Sequence, residues 1–310
     1  MVRSKPKIQV TIVIPTHGSA PYLTKVLSGL EAQTYRNFEV IIVDNNKAKQ
    51  KFDKLPSFDY DLKVIHESRI GLSIARNTGI AYAQGQYVAF LDDDAVPEPI
   101  WLDELISGFI RYNTSVIGGA VKLVLPDDLP LWFVPELRIF LAELLYEGKD
   151  IPNIDEAKYI VGANMCVKKS IFNLIDGFSA SFGRVGRMLR SSEELEFCRR
   201  VQKAKYRVSF VYSAQVNHHI SPERIQKKYF LSRAYWQGRS DAMLEITHGR
   251  PTAFSKRNNW INLKIFFNEI IRFFCLGEES DHFLQQVHII REYGYFFQYI
   301  LLTFSIRLFT

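Results

Sequence analysis

Three consecutive aspartates close the segment YVAFLDDDAVP, and no residues of the chain have a plainer chemical potential. A β-forming run, Tyr87 to Leu91, delivers Asp92, Asp93 and Asp94 to its carboxyl end, where α/β sheets bind ligands. Alternation along an extended chain turns Asp92 and Asp94 to one side and Asp93 to the other. Crowded carboxylates repel one another, and a hard divalent cation such as Mg2+ or Mn2+ relieves the repulsion. The plain alternative is an acidic turn after a strand. Asp44 ends a second such run, VIIVDNN, near the IPTHG of the first. A carboxylate there accepts hydrogen bonds from a base or ribose, or closes an Asp-Asn turn.

Arg76 and Asn77 stand in ESRIGLSIARNTGI, with Arg69 seven residues before Arg76. The arginine fork suits phosphate oxygens, whereas a structural ion pair is the competing role, above all for Arg69. In SSEELEFCRRV a helix begins at Glu193 or Glu194, and an acid at that place can deprotonate an acceptor hydroxyl. Ser191-x-x-Glu194 also has the spacing of a capping box, so both roles stay open. His218 and His219 follow Val208 to Val211 and Ala214-Gln215-Val216. An imidazole completes a cation site held by aspartates, and neighbours on a strand face opposite ways, so only one of the pair would do so. Gly183 and Gly186 in GRVGRMLR, with Arg184, Arg187 and Arg190, make either a mobile lid or a disordered basic surface loop.

These residues need a scaffold, and the first hundred positions supply one by alternating short β-rich runs with helical patterns, as a largely parallel sheet requires. Strands are expected at Val10 to Ile14, Val40 to Val43, Lys63 to His66, Tyr87 to Leu91 and Ser115 to Leu125. Helices are expected around Tyr22 to Leu30, Ser73 to Tyr82 and Trp101 to Ile110. Residues 126 to 158 have no clear period and read as a surface excursion shaping an acceptor cleft. Tyr159 to His219 reads as strand, turn, helix and strand. At 310 residues and 47% hydrophobic content, one large α/β core with an appendage is the simplest arrangement.

The formal charge of +6 fits an anionic partner without choosing one. Cys166, Cys198 and Cys275 are odd in number and form no C-x-x-C pair, which argues against a disulfide framework or zinc ribbon. MVRSKPKIQV has no apolar signal segment, so the expected location is cytoplasmic.

Taken in order, VTIVIPTHG, VIIVDNN, GLSIARNTGI, YVAFLDDDAVP, VGANMCVKKSIFNLIDGF, SSEELEFCRRV and AQVNHHISPERI resemble the inverting family 2 glycosyltransferases of the GT-A fold over about residues 8 to 245. The resemblance implies a Rossmann-related, mostly parallel mixed sheet flanked by helices, assigned to 1–250, and the turn to aromatic and aliphatic helices beyond about Thr252 makes 251–310 a C-terminal amphipathic helical extension. It implies that Pro15, Thr16, His17 and Asp44 line the base and ribose pocket with Arg76 assisting, and that Asp92 and Asp93 belong to the donor site. Asp94, Asp92 and His218 would be the metal side for Mn2+ or Mg2+, with His219 the lesser choice. Glu193-Glu194 stands where the family has a Glu-Asp pair whose second member is the usual base. The expected reaction is single displacement from a UDP-sugar to a hydroxyl of a carbohydrate or lipid-linked acceptor.

An inactive nucleotide-sugar-binding relative and a sugar nucleotidyltransferase are the rivals. The latter should carry a Gly-rich phosphate loop, which PTHGSAPYL is not. Nucleic acid is not an expected partner. In the tail, Trp260, Leu263, Phe267, Ile270, Ile271 and Phe274 form an apolar helical face, and Tyr293 to Ile306 is uncharged but shorter than the roughly 20 residues of a membrane span. Packing on the domain competes there with peripheral contact on the inner face of a membrane, where Arg272, Arg291 and Arg307 would meet headgroups.

Overall fold

A computed structural model describes residues 8–18, 20–50, 52, 55–155, 158–249 and 279–308. The chain divides into two compact units, one comprising Met1–Val124, Glu143–Ser181 and Glu193–His219, the other Leu125–Ala142, Phe182–Ser192 and Ile220–Thr310.

The first unit holds strands β1 (Val10–Thr16), β2 (Phe38–Asp44), β3 (Asp61–His66), β4 (Tyr87–Leu91), β5 (Ala95–Pro97), β6 (Val116–Val124), β7 (Asn164–Lys168) and β8 (Val208–His219). Its helices are α1 (Leu23–Glu31), α2 (Leu72–Tyr82), α3 (Trp101–Arg111), α4 (Lys169–Leu174) and α5 (Glu193–Lys203). The strands make one sheet of order β3-β2-β1-β4-β7-β6-β8-β5. β1 to β4 are mutually parallel, whereas β7 opposes β4 and β6, and β5 opposes β8. VTIVIPT and FEVIIVD are buried at every position, because a parallel strand covered on both faces needs an unbroken apolar run.

The chain steps outward from β1 through β2 to β3, then returns past β1 to β4. Right-handed crossovers in opposite directions place α1 and α2 on opposite faces, so the winding reverses between β1 and β4. At such a reversal α/β sheets bind ligands outside the carboxyl ends of the strands, here the ends of β1 and β4, where Thr16 and Asp92 stand. Proline is tolerated near this point of a central strand because the β1–β4 ladder stops at Val13, before Pro15.

Two features hold the sheet in register. A Cβ at Gly79 of α2 would stand 2.3 Å from Val13 Cγ1, so the helix rests directly on β1. The fully buried Asn164 donates to the carbonyls of Ala120 and Ala214 and accepts from Trp101 Nε1, joining β6, β7, β8 and α3. The expected strands are present, but β8 is continuous through Ser213, and β5 fills a place with no strand signal beyond Ala-Val-Pro. Residues 126 to 158 are less superficial than expected: Leu137, Phe140, Leu141, Leu144 and Ile154 are buried, and Ile151 bridges to Phe210.

In the second unit, helices α6 (Lys227–His248) and α7 (Glu279–Leu308) cross at glycines. A Cβ at Gly238 would lie 1.9 Å from the Arg291 carbonyl, and one at Gly294 would lie 2.2 Å from that of Tyr235. Phe283, Val287, Arg291 and Tyr295 are buried on α7, and Trp132 and Phe133 pack on Phe230. Arg291 pairs with Asp241 in this interior, so it is not the exposed headgroup partner expected from the sequence. Tyr293, Phe297, Ile300 and Leu301 are exposed. The apolar face from Trp260 to Phe274, with Arg272 and Cys275, lies outside the described residues. Among the described residues, no helix is long and apolar enough to cross a membrane.

Candidate active site

At the carboxyl end of β2 the buried Asp44 accepts hydrogen bonds from Asn46 Nδ2 and the Gln50 backbone N–H, both at 2.7 Å. Asn46 in turn accepts from the Gly18 N–H, and Gln50 donates to the Gly18 carbonyl. His17 donates from Nδ1 to the Asn45 carbonyl and is exposed. The loops after β1 and β2 are thereby clasped together around Asp44. The Thr16 hydroxyl is buried and has no hydrogen-bond partner among the described residues.

Asn45 was not singled out by the sequence, yet it organises this end of the sheet. Its amide donates to the carbonyls of Glu67 and Arg69 and accepts from the Gly71 N–H at the start of α2. The Asp-Asn-Asn run signalled only a turn. Arg69 bonds Glu67 through two nitrogens and is the structural ion-pair arginine that the sequence allowed for. Those bonds, with the Arg69 N–H and Thr78, hold the Glu67 carboxyl down at about 2.

Arg76 is 1% exposed. Its guanidinium donates to Glu193 Oε1 at 2.6 Å and to Asp92 Oδ1 at 3.1 Å, and lies over the Phe178 ring with 5.6 Å to the centroid. Burial alone would favour losing the proton, but Glu193, Asp92 and Glu194 outweigh it and raise the pKa. The neighbouring Asn77 exchanges two 2.8 Å hydrogen bonds with the Phe178 backbone. Gly162 completes the pocket, since a Cβ there would stand 2.6–2.8 Å from the guanidinium atoms. Both terminal nitrogens of Arg76 thus meet protein carboxylates, not an open phosphate site.

The expected alternation of the aspartates gives way to a turn, in which the Ala95 N–H bonds the Asp92 carbonyl. Asp92 goes to Arg76, while Asp94, 8% exposed, goes to His218, with Oδ1 3.1 Å from Nε2. Asp93 is half-buried. β5 and β8 pair Ala95 with His218, and the His219 N–H bonds the Asp94 carbonyl, which fixes the contact. His219 stacks on Tyr22 at 4.9 Å. Partial burial and nearby Lys25 lower its pKa. Strand alternation therefore separates the two histidines.

An octahedral cation with bonds of about 2.1 Å keeps adjacent ligand atoms about 3 Å apart, so the Asp94–His218 spacing fits two corners of its shell. Among the described residues, no group of three or more His, Cys, Asp or Glu is placed to hold a metal ion. Two protein ligands suffice where phosphate oxygens and water supply the rest, the usual habit of Mg2+.

Helix α5 opens with Glu193 buried on Arg76, Glu194 half-buried, and Glu196 paired with Arg200. Ser192, the residue before it, takes a left-handed φ of 70°, a conformation that costs a non-glycine residue energy and concentrates at functional sites. Ser191, the other half of the possible capping box, donates its hydroxyl to Gln237 at 2.8 Å. In the basic loop, Val185 and Met188 form a tight bridge flanking Gly186 and Arg187, and Arg190 lies over Trp236.

Residues 11–174 match the family model described as "Glycosyl transferase family 2". A glucosyl-dolichyl phosphate glucuronosyltransferase from Haloferax volcanii is 26% identical over 268 residues, covering 82% of each chain. Among solved structures, Staphylococcus aureus TarS 1–349 in complex with UDP has a TM-score of 0.53 at 18% identity, covering 97% of this chain and 92% of that one. GalNAc-T7 with UDP, GalNAc and Mn2+ has a TM-score of 0.54 at 14% identity, covering 86% and 58%. The fold is that of the GT-A enzymes.

Proposed function

The chain belongs to glycosyl transferase family 2, and from that membership we propose that it transfers a sugar from a UDP-sugar to a hydroxyl of a carbohydrate or lipid-linked acceptor, inverting the anomeric centre. One observation carries the reading: the turn after β4 brings together a pair of cation-ligating type, Asp94–His218, and a chain of contacts, Asp92–Arg76–Glu193, that leads to Glu194. The UDP of TarS and the Mn2+ of GalNAc-T7 support the donor and the metal, and the glucosyl-dolichyl phosphate of the archaeal relative supports a lipid-linked acceptor.

In this reading Pro15, Thr16, His17 and Asp44 receive the uridine, the Thr16 hydroxyl gaining the partner it lacks. Asp92 offers its second carboxylate oxygen to the ribose, and Asp93 borders the same pocket. Asp94 and His218 would hold a divalent cation, which supplies charge neutralisation for the departing diphosphate. Glu194 takes the proton of the acceptor hydroxyl as its oxygen bonds to the anomeric carbon. The bond from that carbon to the diphosphate oxygen breaks on the opposite face, and its electron pair leaves with UDP.

The test is turnover of a panel of nucleotide sugars. Glu194→Gln should lower transfer by about 10²–10⁴-fold while UDP binding persists. Normal turnover in both Glu194→Gln and Glu193→Gln refutes a catalytic role for the start of α5.

A further inference from the structure

We propose that Arg76 is a positioning residue, a buried strut that ties the donor-side Asp92 to the helix carrying the base, and not a ligand of the donor phosphates. The inference rests on the proposed function for its reaction but on the packing for its geometry. A phosphate-binding arginine needs an approachable face, and this one is 1% exposed between the Phe178 ring and the space left by Gly162. Its two terminal nitrogens end on carboxylates 16 and 117 residues away. One cation thus joins the end of β4 to the first residue of α5, directly before Glu194.

The pocket is built for a planar fork. Asn77 fixes the Phe178 backbone by two bonds, so the ring is held beneath the guanidinium by the residue next to Arg76 itself. A lysine keeps the charge but cannot span two carboxylates, since it has a single nitrogen on a flexible stem. Losing the strut lets α5 shift relative to Asp92, and misplacement of reacting groups by about 1 Å costs about 100-fold in rate.

Four variants, Arg76→Lys, Gly162→Ala, Glu193→Gln and the double Arg76→Lys/Glu193→Gln, are assayed for kcat and donor KM, with UDP affinity by calorimetry. Arg76→Lys should lose about 10- to 100-fold in kcat while the UDP Kd moves less than about threefold. Gly162→Ala, which displaces the guanidinium without removing it, should give the same split in smaller measure. The double variant should be no slower than its slower parent, because both changes break one connection.

Weakening of UDP binding in step with the loss of kcat/KM would make Arg76 a donor ligand and overturn the proposal. So would wild-type kcat in Arg76→Lys, or losses that multiply in the double variant. Should Arg76→Lys fail to fold, Gly162→Ala decides by the same split. Full-rate Glu194→Gln removes the base assignment and leaves the strut standing, whereas the UDP affinities judge the strut without reference to the base.

Discussion

Asn45 is a single buried amide that joins the loops following β2, β3 and the start of α2, and its replacement is the most informative one outside the reacting groups. Asn45→Ala leaves two carbonyls and one N–H without their partner, at about 1–3 kcal/mol for each left buried. It should lower unfolding stability by about 2–4 kcal/mol and weaken UDP binding together, as chemical denaturation and calorimetry would report. Glu67 makes a second prediction, in acid. Its folded pKa of about 2 lies below the ordinary 4.5, so its contribution is complete above pH 4.5 and fades as pH falls toward 2. Denaturant unfolding between pH 5 and 2 should lose stability in the native chain and lose less of it in Glu67→Gln. At this scale the place of the aspartates after a strand and the opposite facing of the two histidines were legible, because both are local signals, whereas the turn that sends Asp92 and Asp94 to different partners was not. Asn45 and Gly162 were not, since a buried amide and an absent Cβ act only on residues distant in sequence.

The close contact of α2 with β1 depends on Gly79. Gly79→Ala gains about 1 kcal/mol of helix propensity but drives a methyl into Val13, and overpacking of a rigid core costs about 1–3 kcal/mol. Net destabilisation is expected by urea unfolding, and Val13→Ala in the same chain should recover part of it, a coupling that independent sites would lack. Buried parallel strands were easy to read from their unbroken apolar runs. β5 was not, because three residues carry no period and the strand exists only through its pairing with β8. The continuity of β8 was hidden for a similar reason, its tyrosine and serine at 212 and 213 interrupting the apolar pattern.

For the whole molecule, ligand linkage gives a test free of turnover. If UDP is the donor nucleotide as proposed, UDP at a hundred times its dissociation constant should stabilise the folded chain by about 2.7 kcal/mol, a thermal shift of several degrees. If Asp94 and His218 hold a cation beside the diphosphate, the shift should need Mn2+ or Mg2+, shrink in excess chelator, and shrink equally in Asp94→Ala. An undiminished shift in chelator would remove the metal from the donor site. The GT-A sheet was legible from the order of seven short motifs. The seat of α7 on α6 was not, because glycines at 238 and 294 announce a helix crossing only once both helices are side by side.

The pairing of β5 with β8 also sets a timetable for biosynthesis. Asp94 leaves the ribosome long before His218, and at ordinary elongation rates the interval is on the order of ten seconds. Throughout that time β5 lacks its β8 partner and Asp94 has no His218 to meet, so the half-made chain has β1 to β4 but not the pair proposed to hold a cation. On the proposed function, a product truncated before His218 would lack the pair expected to hold the cation. Nascent chains stalled before Val208 should pass through a UDP resin charged with Mn2+, and chains stalled far enough beyond His219 for β8 to clear the exit tunnel should be retained.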